Sequence, residues 1–173
     1  ERQRLRKGVG QGIEIALKDV AAAMLGHLGI IGEVCTAQTP REKAGNALYG
    51  AYGQDFLCRD GKRVMVIGLT ARQWKNLVKV TGTEAAMADL ARRLKLDLSE
   101  EGARWQARAD ITAILAPFFA SRAVADFAAD FDKAGVTWSV FRSFAEAVAE
   151  DPDLSPENPM FTELTHPGVG RYP

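Results

Sequence analysis

Asp60-Gly61 stands between two runs of strand-type residues, Asp55 to Arg59 and Lys62 to Leu69, and restricts the fold more than any other feature. Asp-Gly favours a tight turn with positive φ at both central positions, so it predicts a β-hairpin. Around it the pattern is helical. Ile13, Leu17, Val20, Met24 and Leu28 recur at spacings of three and four and predict a long helix from Ile13 to Ile31. Ala71 to Val80 predicts a second helix with Trp74, Leu77 and Val78 inward, Thr83-Glu84 starts another to about Leu94, and Ser99-Glu100-Glu101 starts one to about Phe119. Ser121 begins a helix through Phe127 and Phe131 that Gly135 stops. Val136 to Phe141 reads as a strand, Ser143 caps a helix from Phe144 to Glu150, and the proline-rich end is loop with an edge strand around Phe161 to Leu164. The class is α/β, of the α+β kind: a small sheet containing a β-hairpin, packed by several helices and preceded by a long helix.

Between Gly32 and Gly53 the periodicity lapses into Thr, Pro, Gly and Asn. A loop of that length inside a compact domain is functional or marks a domain boundary. The chain has 47% apolar residues, enough for one core and a second small one, and its formal charges cancel. No whole-molecule field therefore favours nucleic acid or an anionic membrane. The basic run Arg2 to Lys7 and the acidic run Glu146 to Glu157 read as solvated helix ends. Cys35 and Cys58 form no C-x-x-C pair and read as buried free thiols in a reducing, cytoplasmic setting. The apolar stretch Val20 to Ile31 is broken by Gly26, His27 and Gly29 and falls short of the roughly 20 residues that cross a bilayer. No signal peptide is recognised, and a start on Glu1 followed by a basic helical run suggests a chain that begins mid-protein.

Most site readings fail on spacing. Gly8-Val9-Gly10-Gln11-Gly12 lacks the G-x-G-x-x-G spacing and a preceding strand, and is read as a turn. His27 and His166 are the two histidines, too few for a metal set at sensible spacing, and His27 reads as a core histidine. Neither cysteine has a context that singles out a nucleophile, and no acid and base carboxylate pair stands out. Trp74, Trp105 and Trp138 read as core or interdomain anchors, with no basic stripe beside them. What remains is Gly45-Asn46-Ala47-Leu48-Tyr49-Gly50-Ala51-Tyr52-Gly53-Gln54. Glycines let backbone amides approach a ligand and tyrosines add flat apolar surface with a polar tip, so this segment is either a flexible interdomain strap or a ligand-covering loop.

Five segments in order resemble family III CoA-transferases: Gly10-Gln11-Gly12-Ile13-Glu14-Ile15-Ala16-Leu17, then Gly45-Asn46 with Tyr49-Gly50-Ala51-Tyr52, then Asp60-Gly61, then Thr70-x-x-Gln73-Trp74, and finally Gly135-Val136 ahead of Glu150-Asp151-Pro152. Within that family, Ile15 to Val20, Leu48 to Ala51, Lys62 to Val66 and Glu157 to Phe161 are similar to members that act as mesaconyl-CoA isomerases, moving CoA between the two carboxyls of one acid.

The resemblance implies an enzyme in which an aspartate attacks an acyl-CoA thioester and passes through an anhydride and an aspartyl-CoA thioester, without metal or redox cofactor, the CoA thioester being the substrate. The family aspartate lies upstream of the segment matching Gly10, so no catalytic residue is assigned to this chain. Tyr49, Gly50, Tyr52, Gly53 and Gln54 are the expected substrate-binding residues, because they match the family's loop over the active site. The implied organisation is a large-domain helical segment over 1–31, a linker over 32–46, a small domain over 47–160 and a return linker over 161–173. Expected partners are the acyl-CoA, the remainder of the parent polypeptide and a second copy in an interlocked homodimer. Nucleic acid and membrane are not expected. An acyl-CoA racemase on the same scaffold and a non-catalytic dimerisation or binding module are the competing readings.

Overall fold

The hairpin forms where the dipeptide places it, and a third strand extends it. The structure, a computed structural model, describes residues 2–38 and 41–172. Strands β1 (Tyr52–Leu57) and β2 (Arg63–Gly68) pair antiparallel, and β3 (Thr137–Val140) pairs antiparallel with β2, giving the order β1-β2-β3. The turn differs from the two-residue form expected. Cys58 N–H donates to Lys62 O at 2.8 Å and Gly61 N–H to Cys58 O at 3.0 Å, so three residues are enclosed. Gly61 takes φ 79°, whereas Asp60 stays outside the left-handed region. That is the three-residue hairpin with a left-handed glycine, which puts only one residue at positive φ. The Asp60 carboxylate is freed for other work: it accepts from Lys62 N–H at 3.2 Å and from Val124 N–H at 3.0 Å.

Alternation along the strands gives the sheet two unlike faces. Tyr52, Phe56, Val64 and Val66 are buried on one face. After helices α1 (Arg2–Lys7), α2 (Leu17–His27) and α3 (Ile30–Ala37), helices α4 (Ala71–Val80), α5 (Glu84–Leu94), α6 (Glu101–Gln106), α7 (Arg108–Ala120) and α8 (Ala128–Ala134) complete that core through Trp74, Leu77, Met87, Leu90, Ile111, Leu115, Phe119 and Phe131. Phe56 stacks on Phe119 with centroids 4.4 Å apart, and Phe127 lies 4.8 Å from Phe131. The other face carries Gly53, Asp55, Met65 and Ile67 and is half covered.

Helix ends follow from local chemistry. Thr70 and Gln73 form a reciprocal capping box at the start of α4, and Gln73 Nε2 also donates to Thr137 Oγ1 at 2.8 Å. The Thr70-x-x-Gln73-Trp74 motif is thereby a folding motif: it starts a helix, ties it to β3 and buries an indole. Ser143 and Glu146 build a second capping box for α9 (Phe144–Glu150). The helix expected from Ser99 to Phe119 is divided at Ala107, and the one expected from Ser121 begins as a 3-10 turn, Val124–Asp126, before α8. Gly135 ends α8 at φ 66°, as its position past a helix end requires. The expected edge strand near Phe161 is instead Leu164–His166, paired with Gly170–Tyr172 in a two-stranded sheet of its own.

The chain separates into two compact units, with the division between Lys43 and Ala44. In the first unit the single helix expected from Ile13 to Ile31 is two helices, Leu17–His27 and Ile30–Ala37, bent by 61°. Gly29 at φ 73° makes the break, and the second helix runs into the segment expected to be loop. Neither helix buries a residue among those described, so His27 and Cys35 are exposed where a core position was expected, while Cys58 is buried. Leu17, Met24 and Leu28 of this unit are half or more exposed. Among the described residues no single helix is long and apolar enough to cross a membrane.

Candidate functional site

The glycine and tyrosine segment is a closed loop rather than a slack strap. Leu48 N–H donates to Gly53 O at 2.9 Å and Ala51 N–H to Leu48 O at 3.4 Å, so residues 48–53 fold back on themselves at the entry to β1. Gly50 occupies the third place of the inner turn with φ 82°, a position where a side chain other than glycine strains the backbone. A Cβ at Gly50 would meet no atom within 4 Å, so the tip is open. Gly53 is glycine for a different reason. Its φ is ordinary, yet a Cβ there would stand 2.7 Å from Leu48 Cβ and 3.2 Å from Met65 Cε. Leu48 lies against the bare strand backbone, and that contact closes the base of the loop.

The tyrosines divide between surface and core. Tyr49 is 43% exposed at the tip, with its ring 4.7 Å from that of Trp105. The Arg108 guanidinium lies 4.0 Å from the Trp105 ring on its own account, giving a short cationic and aromatic stack beside the loop. Tyr52 points the other way. It is 1% exposed, its hydroxyl lies 3.1 Å from Thr112 Oγ1, and its ring meets Trp74 edge-on at 5.7 Å. Burial pushes the Tyr52 hydroxyl well above its ordinary pKa, with the Thr112 bond acting weakly against it. The Tyr52 side chain is therefore committed to the core and offers no surface to a ligand.

Gln54 is half-buried and donates through Nε2 to Asp55 Oδ1 at 2.8 Å. Asp55 also pairs with Arg63 across the hairpin. Burial raises the Asp55 pKa, but the Arg63 and Asn46 hydrogen bonds outweigh it and hold the carboxyl below its ordinary value. Asp55 thus sits, 8% exposed at its side chain, on the open face of the sheet beneath the loop. The sequence named the loop but not this carboxylate.

An open groove of about 520 Å³ lies between α4 and α5. Its floor is Trp74, Val78, Met87 and Leu98, with Lys75, Lys79, Glu84 and Asp97 at its rim, and none of the five expected binding residues lines it. Among the described residues no group of three or more His, Cys, Asp or Glu is placed to hold a metal ion.

Sequence reading missed Arg104. It is fully buried and donates to four backbone carbonyls: Gly68 O at 3.1 Å, Leu98 O at 2.9 Å, Ser99 O at 2.7 Å and Leu69 O at 2.6 Å. It ties the end of β2 to the approach to α6, and its role is structural.

The profile of CoA-transferase family III matches residues 2–173. The chain belongs to that family. It is 51% identical over 172 residues to the 2-methylfumaryl-CoA isomerase of Chloroflexus aurantiacus, covering 99% of this chain and 42% of that protein. Solved structures share the fold: a CAIB/BAIF family protein from Brucella suis aligns with TM-score 0.61 and 23% identity over 97% of this chain, and Rv3272 from Mycobacterium tuberculosis with TM-score 0.68 and 18% identity over 98%. The alignments take in 41% of each of those two chains. This family III chain therefore spans about two-fifths of the length of the relatives it matches. The mixed architecture expected from the sequence, a small antiparallel sheet with a hairpin packed by helices, is the one these neighbours share.

Proposed function

We propose that the parent protein moves CoA between the two carboxyls of mesaconate, and that this chain supplies the small domain covering the reacting thioester. The observation carrying this reading is the 51% identity over 172 residues to a protein named 2-methylfumaryl-CoA isomerase. In the proposed reaction an aspartate from the remainder of the parent polypeptide attacks the thioester carbonyl, expelling CoA thiolate and forming a mixed anhydride. The thiolate then attacks the aspartyl carbonyl, giving aspartyl-CoA and free dicarboxylate. The second carboxylate attacks that thioester, and the returning thiolate opens the new anhydride on the substrate side. CoA ends on the other carboxyl and the aspartate is regenerated.

Two demands follow for the protein. The anhydride hydrolyses unless water is excluded, and the dicarboxylate must be retained while it turns. The loop tip at Tyr49 and Gly50 answers the first in this reading: a flat ring and an open, side-chain-free turn form a cover that lies close to a ligand. The exposed apolar residues of the first unit, Leu17, Met24 and Leu28 among them, are the surface on which the remainder of the parent polypeptide packs, and a second copy completes an interlocked dimer. No metal or redox cofactor enters this sequence of steps, and the protein acts in the cytoplasm.

The test is to incubate the full-length protein with mesaconyl-CoA and separate the isomeric thioesters by liquid chromatography. The reading requires conversion to the isomer with CoA conserved. A substrate that stays unchanged, or that loses CoA without forming the isomer, overturns it.

A further inference from the structure

Retaining a dicarboxylate calls for a cation, and one stands beside Tyr49 with donors to spare. In the second unit Arg59, Arg63, Arg92, Arg93 and Arg142 each pair with an aspartate, and Arg171 pairs with Glu163. Arg108 differs from these. Its guanidinium lies 4.0 Å from the centre of the Trp105 ring, and Nη1 donates to Trp105 O at 3.0 Å. Among the described residues its other two nitrogens make no hydrogen bond and no carboxylate pairs with it. The Trp105 ring is also the one that the Tyr49 ring meets at 4.7 Å, so a single indole orders the guanidinium and borders the loop tip. Trp105 and Arg108 are both half-buried, which steadies the guanidinium while leaving it open to a ligand. Arg122 stacks on Phe118 in a similar way, but its carbonyl accepts from Arg59 N–H, which places it beside the hairpin turn at the far end of β1. Arg72 is exposed, with neither ring nor carbonyl to order it among the described residues.

We infer that Arg108 is a substrate-binding residue that selects dicarboxylic thioesters: its guanidinium takes the carboxylate that is not joined to CoA, and keeps hold of the acid while it turns. The inference rests on the proposed transfer reaction and adds to it the group that recognises the acid. A guanidinium offers parallel N–H donors to the two oxygens of a carboxylate, and stacking on an indole fixes its plane beforehand. In the starting thioester the far carboxylate is the one held. Once CoA has passed to the aspartate, turning brings the other carboxylate to Arg108, and the first becomes the attacking group. No bond is made or broken at Arg108, and its proton stays in place. One cation thus serves both isomers, and it has nothing to hold in a thioester that lacks the second carboxylate.

The test uses the full-length protein and the variants Arg108→Gln and Arg108→Lys. Gln keeps a donor for Trp105 O, so the junction of α6 and α7 is retained, and urea unfolding checks that it is. Two constants are measured. One is kcat/KM for isomerisation of the mesaconyl-CoA joined at the carboxyl beside its methyl group. The other is the inhibition constant of (E)-2-methylbut-2-enoyl-CoA, in which a methyl group replaces the free carboxylate of that substrate. A hydrogen bond to a charged group is worth roughly ten- to a hundredfold in affinity. Arg108→Gln should lower kcat/KM by that factor, while the inhibition constant of the methyl analogue stays within about twofold. Arg108→Lys keeps the charge but not the planar fork, and should lie between the wild type and Arg108→Gln. A wild type that makes no isomer overturns the proposed function and this inference with it. An active wild type overturns this inference alone if Arg108→Gln keeps kcat/KM within about twofold, or binds the methyl analogue more weakly by the same factor as it loses kcat/KM.

Discussion

Replacing Arg104 by Met should loosen the second unit more than any exposed substitution in it. Met keeps most of the length and volume of the side chain but removes every donor. Four carbonyls then lose their partner, and two of them, Gly68 O and Leu98 O, sit in fully buried bonds. A buried acceptor left unpaired costs ~1–3 kcal/mol, so those two amount to ~2–6 kcal/mol. Ser99 O and Leu69 O are in partly buried bonds and recover water. Against this, the variant no longer buries a cation. Burial works against the Arg104 charge while Glu101 and Glu100 support it, and a guanidinium stays protonated throughout. The balance is a loss of about 2–4 kcal/mol, because the carbonyls remain in place and only their donor is gone. Urea unfolding followed by tryptophan fluorescence reads it well, since Trp74 lies 5.7 Å from the guanidinium. The midpoint should fall with little change in slope. A midpoint that holds or rises would mean that desolvating the cation outweighs its four bonds, and would refute the argument.

Further expectations follow from single contacts. Tyr52→Phe removes the bond to Thr112 and should cost about 0.5–1.5 kcal/mol in stability while leaving turnover of mesaconyl-CoA by the full-length protein unchanged, as enzyme assay and urea unfolding will show. Thr70→Ala deletes the capping box of α4 and should cost about 1 kcal/mol, seen as lower helicity and a lower midpoint. Tyr52 has its pKa raised in the folded state, so the native protein binds more protons than the unfolded chain above the ordinary value of 10.0; stability should fall as pH rises past that value, and less so in Tyr52→Phe. Asp55 has its pKa lowered, so its contribution is present above the ordinary value of 3.8 and is lost as pH falls below it; Asp55→Asn should flatten that limb of the acid unfolding curve.

What the sequence made legible was local. Asp60-Gly61, Ser143 and Gly135 each act within a few residues, and the hairpin, a capping box and a helix stop stand where they placed them, whereas the capping box at Thr70 was not foreseen. The turn type escaped because Asp60 is held outside the left-handed region by bonds to Lys62 and to Val124, which is distant in sequence. The helix over Ile13 to Ile31 failed at its start, which is Leu17, and at Gly29, which was visible although its φ was not. In the loop, Tyr49 and Tyr52 look alike in sequence. The strand register decides between them, turning Tyr52 into the core and leaving Tyr49 outside. Arg104 and Asp55 were invisible for a shared reason: their partners come from distant elements, or from a side chain whose direction only the folded hairpin fixes. A signal did exist for Gly53, a glycine at a strand start, which marks a close approach by another group.

The most direct check on the proposed transfer is an exchange measurement. Full-length protein is given mesaconyl-CoA together with an excess of isotopically labelled free mesaconate, and both thioester isomers are analysed by mass spectrometry. A covered site that retains its dicarboxylate yields the isomeric thioester with no label in it. Label appearing in the product at the rate of isomerisation, or no isomer at all, would contradict the account.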